Sequence, residues 1–444
     1  MPDDREVPES ARQLTLPRRR MLVATSAATV PLVIPRLGRA APADHGPNDT
    51  IRLAAIGIGR SARGRGRLLV EQVPPGGRIV AICDCDRPAA ERFKAESKDE
   101  RSDQWEVATD YRRILDRKDV DAVIVATGEF QRILPCIQAC QAGKDIYAEK
   151  PLSWSIGEGR ALVDAVKRHD RVLQVGTQQR SMAINRIACE FIRAGGLGKL
   201  LEVRAINYRG PEDAPNGGFP GQPAPTGFDW DLWLNQAALR DYNPQWHDWM
   251  RWRDFSGGEM TNWGAHGVDQ IQWALGTDDS GPVEVRLLGE GPNAPVTMRY
   301  ASGIEVKFTI DKGQGPYGGG VFIGEKGKLE INRNKIASNP PEIAAGLLAQ
   351  LDAAEEEKKW SDEAALWQAR WHLQNWLDCI RSRETPVSNV EAGHRSISVC
   401  HLANIARRLG RSLAWDPVAE RFADDEANRL VSPPRRQGYE LPRI

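Results

Sequence analysis

What this chain lacks narrows its possibilities first. It has no net charge, because Lys+Arg and Asp+Glu both number 60 among 444 residues. That balance leaves no long-range field to draw nucleic acid or an anionic membrane. It has no apolar run of membrane-spanning length; the mildly apolar stretch Val23–Ile34 is short and broken by Thr, Ser and Pro. No internal repeat is present, which sets solenoids aside. Its seven cysteines make no disulfide framework. Cys83 and Cys85 close an expected strand, Cys136 and Cys140 share a helix face, and Cys189, Cys379 and Cys400 stand alone. An odd number placed on regular elements reads as core thiols, and without a nearby His pair Cys136/Cys140 makes a poor zinc site, so no metal is expected.

One more absence is local: no acidic residue occurs between Ser10 and Asp44. Within that stretch Arg18-Arg19-Arg20 precedes the apolar run, and Ala40, Ala41 and Ala43 offer a small-residue cleavage site. Residues 1–43 resemble a twin-arginine export signal, with a disordered basic tail as the alternative. The signal implies the twin-arginine translocation machinery as a partner and a periplasmic or otherwise exported protein.

The remaining length suits two or more domains. From Ile51 to about Gly176, short apolar runs alternate with helical stretches. Leu53–Ile56, Arg78–Cys83, Ala122–Ala126, Asp145–Ala148 and Val172–Val175 read as strands buried on both faces. Gln131–Ala142 and Ile156–Arg168 read as two of the intervening helices. Repeated β-α-β units predict a doubly wound parallel sheet. After Gly176 the alternation stops. Leu200–Tyr208, Val283–Leu288, Val296–Tyr300, Ile304–Ile310 and Gly320–Ile323 are strand-like with short, hairpin-type connections, so an α+β domain with a mainly antiparallel sheet is expected. Arg209–Phe228 is a Gly/Pro-rich loop, Asp352–Lys359 a solvated charge run, and Glu363–Arg381 and Ser396–Leu409 are helices. The tryptophans Trp360, Trp367, Trp371 and Trp376 read as packing or a subunit contact.

Gly57-Ile58-Gly59-Arg60-Ser61-Ala62 closes the first strand and fits a G-x-G-x-x-G/A loop. The first glycine permits the tight turn, the second lets backbone approach a pyrophosphate, and a small third residue lets the helix pack on the strand. Asp84 ends the second strand, where a carboxylate accepts from adenosine ribose hydroxyls and disfavours a 2′-phosphate; Asp86 is the alternate. The expected cofactor is NAD. Arg60, Arg63, Arg65 and Arg67 keep NADP possible, since guanidinium can hold a 2′-phosphate.

Two later segments supply acid/base groups. Glu149-Lys150-Pro151 follows a strand whose C-terminal end points into the ligand crevice. Asn262, His266, Asp269 and Trp273, spaced four, three and four, form one stripe of a helix. A carboxylate one turn from an imidazole fixes its tautomer and raises its basicity. Alone, the stripe is equally an amphipathic helix with a wet face. Gln178, Gln179 and Arg180 follow a strand end and are candidates for substrate hydroxyls or a carboxylate, or plain edge polars. Seven of the 14 tryptophans fall between Trp230 and Trp273, and two or three are expected to line a cleft, because indole faces stack on sugars.

The glycine loop, Ala126-Thr127, Glu149-Lys150-Pro151 and Gly257-Gly258…Asn262-Trp263-Gly264-Ala265-His266-Gly267-Val268-Asp269 together resemble the Gfo/Idh/MocA oxidoreductases over roughly Arg52 to Leu409. The resemblance implies a Rossmann domain (51–175), an open-faced, mainly antiparallel sheet domain with helices (176–409) and a C-terminal arm (410–444). It implies a homo-oligomer with nicotinamide at the domain junction and sugar or polyol substrates. It makes Lys150 and His266 acid/base groups, with Asp269 supporting the imidazole. The expected cofactor contacts are Gly57, Gly59, Arg60, Ala62, Asp84, Thr127, Glu149 and Lys150, and the expected substrate contacts are Gln178, Arg180 and Asn262. Two departures stand out. Asn262 replaces an aspartate, and Thr127-Gly128-Glu129-Phe130-Gln131-Arg132 replaces a Thr-Pro-x-x-x-His loop.

The expected activity is nicotinamide-dependent oxidation of a sugar, polyol or glycoside with tightly retained NAD. One alternative is redox-neutral glycoside cleavage by oxidation, elimination and hydration. The other is a catalytically inert, nucleotide-loaded binding protein.

Overall fold

The computed structural model describes residues 50–59, 64–333, 335–351 and 364–443, with side chains in the last stretch from residue 369 onward. The export-signal segment 1–43, Arg60, Ala62, Arg63 and the charge run 352–359 lie outside the described residues.

Six strands form the first sheet: β1 (Ile51–Ile56), β2 (Gly77–Cys83), β3 (Glu106–Ala108), β4 (Ala122–Val125), β5 (Asp145–Ala148) and β6 (Leu173–Val175). All pairings are parallel, in the order β3-β2-β1-β4-β5-β6. Helices α1 (Arg65–Glu71), α2 (Arg87–Glu96), α3 (Tyr111–Leu115), α4 (Glu129–Gln141) and α5 (Ile156–Arg168) connect them. The local chemistry explains the starts. Asp86 accepts from the Ala89 amide at the head of α2, and Ser155 caps α5 through the Glu158 amide. Ala122–Val125 and Asp145–Ala148 are buried throughout, as strands covered on both faces must be. Strand β3 is absent from the sequence expectation; three residues are too few to show a period.

The strand order reverses between β1 and β4, so their C-terminal ends open a crevice there. Backbone bonds tie the loops at this edge into one rim. Gly57 donates to Cys83, Ala126 to Ile56, Glu149 to Val125 and Gly176 to Ala148.

The second sheet has nine strands: β7 (Leu200–Ile206), β8 (Pro282–Leu287), β9 (Val296–Tyr300), β10 (Glu305–Ile310), β11 (Gly319–Gly324), β12 (Gly327–Asn332), β13 (Lys335–Asn339), β14 (Leu413–Asp416) and β15 (Arg421–Phe422). Their order is β13-β12-β11-β7-β10-β9-β8-β14-β15. Only β7 and β10 run parallel; the other neighbours are antiparallel. Around it lie α6 (Ala183–Arg193), α7 (Trp230–Leu234), α8 (Glu259–Leu275), α9 (Pro341–Leu348), α10 (Ala364–Ser382), α11 (Val390–Leu409) and α12 (Asp425–Val431). α8 packs on β11 and against α6 and α11. The opposite sheet face carries cross-strand ion pairs: Lys307–Glu202, Arg286–Glu305 and Arg299–Glu284. These partly exposed pairs keep that face wet and each contribute only about 0–1 kcal/mol.

The structure differs from the sequence expectation at two boundaries. Helix α10 falls between β13 and β14 of the second sheet in the chain but packs against the first sheet. Leu373, Trp376 and Leu377 are buried with Ile51, Leu53, Ile79 and Tyr147. Trp376 is therefore core, and an alanine there would cost about 3–5 kcal/mol. The segment expected as an arm from residue 410 begins as β14, paired with β8. Beyond β15 it docks on the first domain, where Arg435 pairs with the buried Glu158. No described helix is long and apolar enough to cross a membrane. All seven cysteines are free, and only Cys85 is not fully buried.

Candidate active site

The glycine loop is built for close approach. Gly57 and Gly59 have φ of +87° and +85°, and a Cβ on Gly57 would lie 2.7 Å from the Thr127 nitrogen. Only glycine fits there. Asp84 sits beneath the loop: Oδ2 accepts from the Ile58 and Gly59 amides at 2.8 and 2.9 Å, and Oδ1 accepts from the Asp86 amide at 2.9 Å. Burial raises its pKa, and those three amides oppose the shift. Asp84 thus anchors the loop, leaving spare lone pairs on Oδ1 for a ribose hydroxyl. A cradle closed to any side chain, over a carboxylate at the end of β2, fits a dinucleotide.

Beyond the crevice, Glu149 directly follows β5. Its Oε1 accepts from Arg65 Nε and from Gln178 Nε2 at 3.2 Å. Lys150 follows, half-buried, through a cis bond to Pro151. Its Nζ donates to Asn262 Oδ1 at 2.6 Å and to the Asn262 carbonyl at 3.2 Å. Those bonds span the two domains and bring the Lys150 ammonium to the first turn of α8. Gly258, with φ +71°, lets that helix start against Gly210–Pro211; a Cβ there would sit 2.6 Å from that backbone.

One turn on, His266 is buried, and its Nδ1 has no hydrogen-bond partner among the described residues. Burial lowers its pKa well below the usual histidine value, and the charges of Lys150, Arg333 and Arg65 lower it further. The imidazole is therefore neutral at physiological pH. Burial likewise pushes Lys150 down to about 8; Glu149 opposes, while Arg65, Arg132 and Arg333 add to the shift.

The expected pairing of Asp269 with His266 is not made. Asp269, fully buried, accepts from Arg180 Nε at 2.9 Å on both oxygens and from Ser396 Oγ at 3.1 Å. Arg180 is closed on its other side by Asp278 at 2.6 and 3.0 Å and lies over Trp273, 5.3 Å from the ring centroid. Two residues expected in the cleft, Asp269 and Arg180, therefore neutralise each other inside the fold. Three residues turn a helix by about 300°, which leaves Asp269 only about 60° round from His266, and it is Arg180, arriving from the segment after β6, that takes the carboxylate. Gln178 holds Glu149, and Gln179 Nε2 donates to the Gly318 carbonyl at 2.6 Å.

The altered loop after β4 has its own role. Arg132 is buried and donates to the carbonyls of Thr127 and Pro151, so it braces the loops following β4 and β5. Glu129 is fully buried at the start of α4 and accepts from the Gly257 amide, which leads into α8. Burial pushes its pKa up to about 7, against the pull of Ser256, Gly257 and Thr261. Of the clustered tryptophans, Trp230, Trp233, Trp246, Trp249 and Trp252 form a satellite core with Phe130 and Phe255. One, Trp263, stands against His266, with ring centroids 5.7 Å apart. Arg333, in the β12–β13 turn, stacks on the same indole at 5.1 Å. Nothing in its sequence neighbourhood marks it, because only pairing of the hairpin brings that turn to the cleft.

Residues 51–177 match the oxidoreductase family's NAD-binding Rossmann fold, and residues 215–441 match the same family's C-terminal alpha/beta domain. The chain belongs to the Gfo/Idh/MocA oxidoreductase family. Its first domain is accordingly NAD-binding in type, and its fold is a Rossmann sheet followed by a mixed sheet. Among Gfo/Idh/MocA proteins, it is 28% identical over 240 residues to the 2,7-anhydro-N-acetylneuraminate hydratase of Mediterraneibacter gnavus, covering 54% of this chain and 52% of that one. It is 32% identical over 160 residues to the scyllo-inositol 2-dehydrogenase (NAD(+)) of Bacillus subtilis, covering 36% and 44%. The chain thus spans about half the length of the curated relatives it matches, or less. The fold is shared with the WlbA dehydrogenase of Bordetella pertussis, solved with NADH and UDP-GlcNAcA (TM-score 0.59, 18% identity, 83% of this chain and 99% of that one). A levoglucosan dehydrogenase solved with NADH and levoglucosan has a TM-score of 0.56 at 18% identity, over 82% and 99%.

Proposed function

We propose that this protein is an NAD-dependent oxidoreductase acting on a sugar, polyol or glycoside. The observation that carries this is the Lys150–Asn262 bond of 2.6 Å, which brings a cation from the end of β5 to the turn preceding His266, beside the glycine-loop crevice. NAD, when bound, supplies the acceptor for a hydride from a carbinol carbon. Lys150, charged below about pH 8, donates to the substrate oxygen. Neutral His266 accepts the hydroxyl proton. Arg132 and Asn262 hold the surrounding loops and the ammonium in position. Gly57, Gly59, Asp84, Thr127 and Glu149 are the proposed cofactor contacts, with Arg60 and Ala62 completing the loop. Asp269 and Arg180 carry no role at the reacting atoms in this proposal.

A redox-neutral variant has its own support. The relative matched over the longest of the quoted stretches is named as a hydratase, not a dehydrogenase. The acid-free run around Arg18-Arg19-Arg20 supports export through the twin-arginine pathway to the periplasm. Little free NAD is available there, so a retained cofactor and a cycle that returns it to its starting state follow. Assembly through the ion-paired open sheet face into a homo-oligomer belongs to the same reading. The test is to denature the purified protein and quantify released nucleotide by absorbance and mass. Near one NAD(H) per chain supports retained-cofactor sugar chemistry. A protein that neither carries nor binds NAD defeats the oxidoreductase reading and favours an inert binding protein.

A further inference from the structure

The cleft carries more positive charge than its own carboxylates absorb. Arg65, Arg132 and Arg333 all act on Lys150, and Lys150, Arg333 and Arg65 act on His266. Against them stands Glu149, which is already paired with Arg65. Arg132 donates through its two terminal nitrogens to backbone carbonyls, which fixes it in place and leaves its charge unneutralised. Glu259, the other carboxylate at the rim, is engaged by Tyr317 and lies 3.4 Å from the Asn262 amide. Lys150, Arg132 and Arg333 all lack a carboxylate ion-pair partner among the described residues, and of these Arg132 is committed to the loops after β4 and β5.

Arg333 is held for use. Its backbone sits at φ +48°, an unusual setting for a long side chain, and Asn185 Nδ2 fixes its carbonyl at 2.8 Å. The guanidinium lies over Trp263, whose edges meet His266 and Tyr317 at centroid distances of 5.7 and 4.6 Å. Gly318 runs close beside the imidazole's residue: a Cβ there would be 3.5 Å from the His266 Cβ. A flat indole beside a planar guanidinium that has no carboxylate partner among the described residues, and a proton-accepting imidazole, matches a sugar ring bearing a carboxylate.

The geometry points to an acidic sugar as the substrate, with Arg333 binding its carboxylate while the ring lies by Trp263 and a hydroxyl reaches Lys150 and His266. This rests on the oxidoreductase reading for the identity of the cleft. It also has a chemical consequence. Burial is the main cause of the low basicity of His266, and an anion beside it would relieve the further lowering by Lys150, Arg333 and Arg65.

The test measures binding of D-glucuronate against D-glucose, and D-galacturonate against D-galactose, to NAD-loaded and nucleotide-free protein by calorimetry at low ionic strength. At least one uronate should bind about tenfold or more tighter than its aldose. Arg333→Asn, which tolerates the left-handed backbone, should bring that ratio near one, and Arg333→Lys should keep part of it. Unchanged melting temperatures establish that both variants fold. Ratios near one in the wild type, or no binding by either class, overturn the proposal. So does a preference that survives Arg333→Asn, or a variant whose only loss is NAD affinity, which would assign Arg333 to the cofactor phosphates. Failure of the wild type to bind NAD, with the uronate preference intact, would defeat the oxidoreductase reading while supporting the anion subsite.

Discussion

Asp269→Asn separates two roles that the sequence cannot tell apart. If Asp269 served His266, its loss would depress turnover and leave the fold largely intact. The structure assigns the opposite. Asp269 and Arg180 are buried with 0% and 4% of their surface exposed, and the carboxylate takes both Arg180 contacts at 2.9 Å. Neutralising one member strands a guanidinium away from water, which costs about 3–5 kcal/mol for a buried pair. Asp278, one-third exposed, still holds the other edge of Arg180. The loss therefore falls at the low end, about 3 kcal/mol. For the compact unit His45–Ile444, that corresponds to a melting temperature lower by roughly 4 °C. Denaturant and thermal unfolding of the NAD-loaded protein give the stability loss, and initial rates on the folded fraction give turnover. The double variant Asp269→Leu with Arg180→Met should recover much of the stability, because it removes both charges together. A variant that melts like the wild type while its turnover falls about a hundredfold would refute the structural assignment and return Asp269 to the imidazole.

Other expected outcomes follow the same geometry. Turnover should fall as pH rises through about 8, where Lys150 loses the proton that makes it a donor; Lys150→Arg should flatten that limb at a lower maximum rate, and a flat wild-type profile would contradict the assigned charge state. Gly57→Ala should abolish NAD retention, measured as nucleotide released on denaturation, because its Cβ would meet the Thr127 nitrogen at 2.7 Å. Arg435→Ala should destabilise the protein by about 3 kcal/mol in urea, because it leaves the buried Glu158 carboxylate unpaired.

The order of elements and the chemical vocabulary of the site are legible in the chain before it folds. Strands β1, β2, β4, β5 and β6 announce themselves as short runs buried on both faces. The glycine loop announces itself through backbone that only glycine can follow. Glu149-Lys150-Pro151 and the start of α8 are readable because a strand end and a helix turn place residues by local geometry alone. What lay beyond local geometry was decided by tertiary packing. A helix turns 100° per residue, so Asp269 is close enough in sequence to serve His266, yet Arg180, arriving from the segment after β6, takes it. Helix α10 carries an apolar face with no mark of which sheet it covers, and long-range burial sends it back to the first. β14 and β15 are too short to show a period and exist only because β8 offers an edge. Arg333 becomes a cleft residue only when the β12–β13 turn is carried to Trp263. Side-chain type and spacing follow from the chain itself, whereas partner choice across long separations is set by which buried groups must satisfy one another once the core closes.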